Sequence, residues 1–360
     1  MKKKIIFLIA VIMSLALMAC GGGNEGGESQ TGSDSTGDAT LKIYNAGEYI
    51  DMNLISQFEE EYNCKIIYDT FESNEVMYTK ISSGETYDII IPSDYMIERL
   101  IKEDSLMPVD WSLITNEDNL LPEVMDLEFD PGNVYSVPYF WGTVGILYDT
   151  TVVDEADLAD GWSLLMNEKY AGDLYMYDSE RDSFMVALKA LGYSMNTDNK
   201  DEIQEAFDWL VNQKAVMSPI YAGDDVIDNM ISGNKSIAVV YSGDAAYIMS
   251  ENENLDYFTP EEGTNVWYDA MVVTNDCQNI DLAHQFMDFM LREDVALANT
   301  EAVGYTSPVA SAFEEMKNTI FAGISAYVPD TTNPNNEIFR YQEQEIKELF
   351  AELWTKVKAQ

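Results

Sequence analysis

Val266-Trp267-Tyr268-Asp269-Ala270-Met271-Val272-Val273 sets an indole and a carboxylate two residues apart among β-branched and aromatic neighbours. With no Pro or Gly inside, the stretch reads as a β-strand. Side chains two apart on a strand share a face, so Trp267 and Asp269 point the same way. That pairing suits an organic ammonium, because the ring quadrupole attracts the cation while the carboxylate accepts its hydrogen bonds. An isolated Trp-x-Asp also fits a core Trp with an Asp ending the strand, so further stretches must offer the same chemistry.

The elements that position these residues alternate strand and helix. Residues 41–45 read as a strand running into the turn Ala46-Gly47-Glu48-Tyr49, and 51–62 read as a helix with Met52, Leu54, Ile55 and Phe58 on one face. Residues 65–70 read as a strand, 74–82 as a helix and 87–92 as a strand, a pattern that argues for a parallel α/β sheet. Ligands in such sheets sit at the carboxyl ends of the strands. Here those ends carry Glu48 and Tyr49, then residues 71–74, then Ser93 and Tyr95. The apolar aromatic passage 135–148 leaves this unit, and a second one begins with a strand at 174–177. Asp178-Ser179-Glu180-Arg181-Asp182 opens a helix through Leu191, and the strand 236–241 ends at Ser242-Gly243-Asp244 before a helix over 245–250. Helices are also predicted over 282–291 and from about 336 to 358. Two α/β units joined by several crossings leave a cleft where strand ends face each other.

At 360 residues and 46% hydrophobic composition the chain can bury the cores of two domains. Its 64 acidic residues against 20 basic give a formal net charge of −44, which repels nucleic acid and anionic lipid and concentrates cationic solutes. Met1-Lys2-Lys3-Lys4 followed by the short apolar run 5–18 reads as an export signal, too short to be a good membrane span. Leu17-Met18-Ala19-Cys20 resembles a bacterial lipobox, with Cys20 the residue to be acylated, and residues 21–40 read as a flexible Gly/Ser/Asp/Glu tether. The expected location is therefore extracytoplasmic, with a lipid anchor at the outer face of the cell membrane. Cys64 and Cys277 either pair or stay as small buried thiols, and with His284 the only histidine, zinc chemistry and a His-based triad lack support.

Seven motifs in order carry a resemblance. They are Tyr44-Asn45-x-x-Glu48-Tyr49, Thr70-Phe71-Glu72-Ser73-Asn74-Glu75, Tyr87-Asp88-Ile89-Ile90-Ile91-Pro92-Ser93-x-Tyr95 and Pro138-Tyr139-Phe140-Trp141-Gly142, then Tyr241-Ser242-Gly243-Asp244, Trp267-x-Asp269 and Gly304-Tyr305-x-x-Pro308. With them the chain resembles bacterial extracytoplasmic solute-binding proteins of the spermidine/putrescine class, the capture subunits of polyamine ABC importers. The resemblance implies a two-lobed α/β fold of the periplasmic-binding-protein type (type II) with the ligand cleft between lobes. Lobe one would comprise 40–145 and 270–312, and lobe two 146–269 and 313–360. It implies a pocket of Tyr49, Ser93 and Tyr95 from lobe one, Asp182, Tyr241, Asp244, Trp267 and Asp269 from lobe two, and Tyr305 returning, with Glu48 at an acidic position beside the polyamine. A membrane permease is the implied partner; a monomer with no cofactor, metal or catalysis is expected.

The physics of such a ligand fits those residues. Burying an ammonium costs several kcal/mol unless it is paired, so each needs a carboxylate and further acceptors. Two or three charge-assisted pairs at about 1.5–3 kcal/mol each, with cation–π contacts, reach the roughly 8 kcal/mol of a micromolar ligand. Three departures from the family pattern stand out: Ala46 where an aromatic is usual, Ser179 where spermidine binders often carry Asp, and Tyr241 for a frequent Trp. Losing an acid suits a ligand with fewer amines, whereas the Ala46 gap could admit a bulkier one. The family's late pocket Gln has no placed counterpart, neither Arg340 nor Gln342 being assigned.

Plainer readings stand beside these. Glu72, Ser73 and Asn74 read first as a helix cap, Tyr139 and Trp141 as wall or core, and His284 as structural. Glu180 and Asp182 could serve only the helix dipole. The alternative functions are capture of another organic amine on the same fold and, from a different class, an exported carboxylate-dependent glycosidase. A sensor or adhesin lacks any accompanying element, and one histidine argues against ferric iron.

Overall fold

The computed structural model describes residues 39–223 and 225–360. The export signal, Cys20 and nearly all of the tether lie outside the described residues. The first α/β unit consists of β1 (Ala39–Ala46), α1 (Met52–Tyr62), β2 (Cys64–Phe71), α2 (Asn74–Ser82), β3 (Ile89–Ile90) and α3 (Asp94–Lys102). β2 and β3 flank β1 and run parallel to it. α1 starts where Asp51 accepts a hydrogen bond from the Asn53 N–H and stops at Asn63 in a left-handed conformation, with Leu54, Ile55 and Phe58 turned inward.

After the short β4 (Leu106–Met107) comes β5 (Ser136–Asp149), buried along nearly its whole length because both of its faces are covered. The second unit follows as β6 (Leu174–Tyr177), α4 (Glu180–Ala190), α5 (Lys200–Met217), β7 (Ile220–Ala222), α6 (Asp225–Ile231), β8 (Ile237–Tyr241), α7 (Ser242–Glu251) and β9 (Leu255–Phe258). β10 (Val266–Thr274) returns to the first unit, followed by α8 (Ile280–Met290), α9 (Glu293–Val303), α10 (Ala310–Asn318) and α11 (Gln344–Ala359). The strands form one sheet in the order β2-β1-β3-β10-β5-β8-β6-β7, with β4 on β10 and β9 on β5. β5 spans both lobes: its first half pairs with β10, its second with β8 and β9. The fold is thus the expected two-lobed α/β architecture.

Several boundaries differ from the sequence reading. β1 takes in Ala39 and Thr40, expected in the tether, because they lie opposite Cys64 and Lys65. The strand expected over 87–92 is a ladder of only Ile89–Ile90. The helix expected from 245 starts at Ser242, which places Asp244 in the first turn of α7. The C-terminal helix begins at Gln344 instead of near 336. Ahead of it the Glu337 N–H donates to the Thr264 carbonyl at 2.9 Å and its carbonyl accepts from Val266 N–H at 2.9 Å, which holds the chain extended. α11 then packs Phe350, Leu353 and Trp354 with Phe184 and Leu188 of α4 and Leu210 of α5.

Cys64 and Cys277 are free and half-buried. His284 is structural, as read: its Nε2 accepts from the Asp110 N–H at 2.8 Å while Nδ1 donates to the Ile280 carbonyl. Tyr139 and Trp141 are buried, Trp141 stacked on Tyr268. Ser73 caps α2 by accepting from the Val76 N–H.

Candidate functional site

Trp267 and Asp269 lie on β10 where it crosses β5, just before the register between the two strands slips at Asp269/Ala270. A backbone bridge joins Asp269 to Ser93. Asp94 strengthens the junction: one oxygen accepts from the Tyr95 N–H at 2.6 Å and the other from the Tyr268 N–H at 3.0 Å. A single buried carboxylate thereby ties the start of α3 to the middle of Trp267-Tyr268-Asp269. Ser93 is held in turn by Asn74, whose Nδ2 donates to the serine hydroxyl at 3.0 Å and whose Oδ1 accepts from its N–H at 3.2 Å. Asn74 therefore braces Ser93, a role that the helix-cap reading of that stretch does not include.

Tyr49 reaches Asp269 from the turn after β1, donating its hydroxyl to Oδ2 at 2.6 Å. The turn is sharp: Glu48 sits at φ 52°, a left-handed conformation unusual for a side chain with a Cβ. Behind Tyr49, the Tyr139 hydroxyl donates to the Tyr49 carbonyl at 2.5 Å and itself accepts from Asn299 at 3.2 Å. Asp269 Oδ1 is buried and has no hydrogen-bond partner among the described residues. Burial pushes the Asp269 carboxyl above the usual aspartate range, while the Ser93 and Tyr49 hydroxyls pull it back.

The motif recurs twice, at Asp182 and at Asp244. Asp182, in the first turn of α4 and 3% exposed, accepts the Tyr241 hydroxyl at 2.8 Å. Burial raises its carboxyl too, offset by Ser179, Tyr241 and Arg181. Ser179 accepts from the Asp182 N–H at 3.3 Å as the helix cap. Asp244 accepts the Tyr305 hydroxyl at 2.8 Å. Burial, first of all, drives the Tyr49, Tyr241 and Tyr305 phenols well above their ordinary pKa, so all three remain neutral donors at neutral pH.

Four aromatic rings link these acids. Tyr241 and Trp267 meet edge to face at 6.0 Å between centroids, Trp267 and Tyr305 at 5.3 Å, and Tyr305 and Tyr49 at 5.6 Å. Two glycines make the approach possible. A Cβ on Gly243 would lie 2.0 Å from the Tyr305 ring, and one on Gly142 would lie 2.6 Å from the Trp267 ring. The arrangement is a column of rings meeting edge to face, flanked by three carboxylates, each already holding at least one O–H donor. Ammonium groups are the ligands such a column can serve: their N–H bonds suit the carboxylates, and their methylenes suit the rings.

The structure thus brings together Tyr49, Ser93, Asp182, Tyr241, Asp244, Trp267, Asp269 and Tyr305. Tyr95 sits at the edge, donating to Glu75 at 3.0 Å beneath the Arg181 guanidinium. Glu48 is exposed on the turn and makes no hydrogen bond or ion pair among the described residues. Sequence reasoning missed Tyr177, whose ring packs 4.8 Å from Tyr241. Its place at the carboxyl end of β6 is the signal that could have found it. It also missed Phe140, 5.3 Å from Tyr49, and Phe339, 5.7 Å from the Arg181 guanidinium. Arg340 pairs instead with Glu98 and Glu128.

The model of the family described as bacterial extracellular solute-binding protein matches residues 53–322. A spermidine/putrescine-binding periplasmic protein of Escherichia coli (strain K12) is 32% identical over 324 residues, covering 89% of this chain and 92% of that protein. A putrescine-binding periplasmic protein of the same organism is 28% identical, covering 89% and 91%. Among solved structures, a spermidine/putrescine ABC transporter substrate-binding protein from Streptococcus pneumoniae superposes with a TM-score of 0.78 at 38% identity, covering 89% of this chain and 99% of that one.

Proposed function

Since the chain belongs to the bacterial extracellular solute-binding protein family, we propose that it captures putrescine or spermidine and delivers it to an ABC-transporter permease. The observation that carries this reading is the set of three tyrosine-capped carboxylates, on Asp182, Asp244 and Asp269, along one aromatic column. An arriving ammonium joins a phenol at each carboxylate. Asp269, with an unused buried acceptor, gains most from a new donor. Trp267 and Tyr305 take the methylenes, and Tyr49 and Tyr241 line the two ends. Glu48 acts at longer range from the rim. No step of this scheme breaks a covalent bond, and the relatives are solute-binding transport proteins, which supports capture over glycoside hydrolysis.

The same reading includes a monomer anchored through acylated Cys20, tethered by the residues before β1, at the outer face of the membrane. It divides the chain into lobe one, 40–145 with 270–312, and lobe two, 146–269 with 313–360; the packing of α11 on α4 and α5 supports the second assignment. Calorimetric titration of residues 21–360 with putrescine, cadaverine, spermidine and spermine tests the ligand. Micromolar or tighter binding of putrescine or spermidine supports it, and no heat with any of the four overturns it. Incorporation of an alkyne-tagged fatty acid, lost in Cys20→Ala, tests the anchor.

A further inference from the structure

Arg181 is a cation placed beside a site for cations. It directly precedes Asp182 in the first turn of α4, and a fixed positive charge there repels an incoming diamine. Its guanidinium lies 3.7 Å from the centre of the Tyr95 ring and 3.7 Å from Glu75. Phe339, on the extended segment before α11, borders it at 5.7 Å. The Tyr95 hydroxyl donates to the same Glu75 oxygen at 3.0 Å, closing a triangle of Arg181, Glu75 and Tyr95. Tyr95 belongs to α3 and Glu75 to α2, both on the first lobe, whereas Arg181 belongs to the second. Both the ring contact and the ion pair therefore cross the cleft, and both break when the lobes part.

We propose that Arg181 is a positioning residue: it clasps the lobes by stacking on Tyr95 and pairing with Glu75, without touching the captured amine. This inference rests on the amine-binding reading of the cleft. A planar guanidinium lies flat on a ring and reaches a carboxylate at its edge, which an ammonium on a flexible stem does less well. Glu75 flanks the charge and offsets its repulsion of the ligand. Ligand affinity scales with the fraction of protein already in the competent arrangement. The clasp raises that fraction for every amine alike, so it sets affinity and leaves discrimination to the carboxylates and rings.

The test titrates residues 21–360, as wild type, Arg181→Lys, Arg181→Gln and Glu75→Gln, with putrescine, cadaverine and spermidine. Small-angle scattering of each protein without amine is the second readout, and circular dichroism verifies that each is folded. All three variants should weaken every amine by one common factor, roughly 3- to 20-fold, the size a partly desolvated cation–π contact supports. The order of the amines should be kept, and the radius of gyration without amine should rise. Arg181→Gln combined with Glu75→Gln should lose little beyond either single change. Tighter binding in Arg181→Gln, or a change in the order of the amines, overturns the clasp and makes Arg181 a selectivity charge. An unchanged radius of gyration with unchanged affinities overturns it as well. If the wild type binds no amine, the ligand reading falls by itself, and the scattering comparison still decides the clasp.

Discussion

Asp130 is a buried aspartate and Asp269 a half-buried one whose Oδ1 lies out of reach of water, and the chain treats them in opposite ways. Asp130, 2% exposed, accepts from the Val134, Tyr135 and Ser136 N–H groups and the Ser136 hydroxyl at 2.7–3.1 Å. Asp269 accepts the Tyr49 phenol from 220 residues away, is eased further by the Ser93 hydroxyl, and leaves Oδ1 without a geometrically sound hydrogen bond among the described residues. The first is a saturated acid that fixes the loop ahead of β5. The second is an under-supplied acid beside an indole, and under-supply is what a binding site needs. Buried polar groups are normally satisfied; Tyr68, Gln213, Tyr221, Asn265 and Tyr327 also leave a buried atom unpartnered among the described residues, and Asp269 differs from them in being a carboxylate set beside an indole.

Changing each acid separates the two roles. Asp269→Asn should weaken putrescine or spermidine by roughly 30- to 1,000-fold, as expected when one member of a desolvated charge pair is removed. Its thermal midpoint should stay at or above that of wild type. Calorimetry beside a melting curve checks both, and an equal loss of stability would erase the contrast with Asp130. Asp130→Ala should do the reverse, costing about 2–3 kcal/mol of folding free energy by orphaning several donors while the folded fraction still binds amine. Denaturant titration reads the first effect, and a specific loss of affinity in fully folded protein would contradict it.

Gly243→Ala comes next in size. Its Cβ would meet the Tyr305 ring at 2.0 Å, so the ring must move off Asp244. Affinity should fall about tenfold, with up to roughly 1–3 kcal/mol of strain in stability. A crystal structure with Tyr305 unmoved would refute the close-approach argument. The pH response is gentler. Burial raises the carboxyl pKa of Asp182 and Asp269, and burial with the Glu75 charge, against the Arg181 charge, carries Glu180 up to about 7 from 4.5. Through these three groups the folded state holds more protons than the unfolded state between about pH 4.5 and 7. Without amine, these groups add stability as the pH falls through that window and remove it as the pH rises. Amine affinity should move the other way, since ammonium needs ionised carboxylates. In Asp269→Asn both slopes should flatten, and a steeper slope would remove Asp269 from the account. The smallest effect belongs to Glu48→Gln: less than about threefold in affinity, and only at low salt, because the side chain is exposed and screened.

Much of this was written locally. Strand alternation and helix caps place β1, α1, β2 and α2 to within two residues, because their signals lie inside each element. α5 carries Ile203, Ala206, Leu210 and Met217 on its buried face, a helical spacing that the sequence reading passes over. The segment 336–343 resists such reading. Its pairing partners, Thr264 and Val266, come from the distant entry to β10 and override local preference. The site divides in the same way. Trp267 and Asp269 are legible together because a strand's period of two relates them. The phenol on each acid is not, since no spacing rule joins Tyr49 to Asp269, Tyr241 to Asp182 or Tyr305 to Asp244. Glu75 and Arg181 lie within recognised stretches, yet their meeting depends on how two lobes face each other.

The last helix also bears on how the chain is made. α11 supplies Phe350, Leu353, Trp354 and Val357 to a core begun by α4 and α5 more than a hundred residues earlier. During synthesis from the N-terminus, that core stays unfinished until α11 has emerged. The first lobe has a different schedule, because β1 to α3 can assemble from neighbouring segments, although β10 must return to complete its sheet. A ribosome stalled before residue 344 therefore leaves Phe184, Leu188 and Leu210 facing water on an otherwise folded surface.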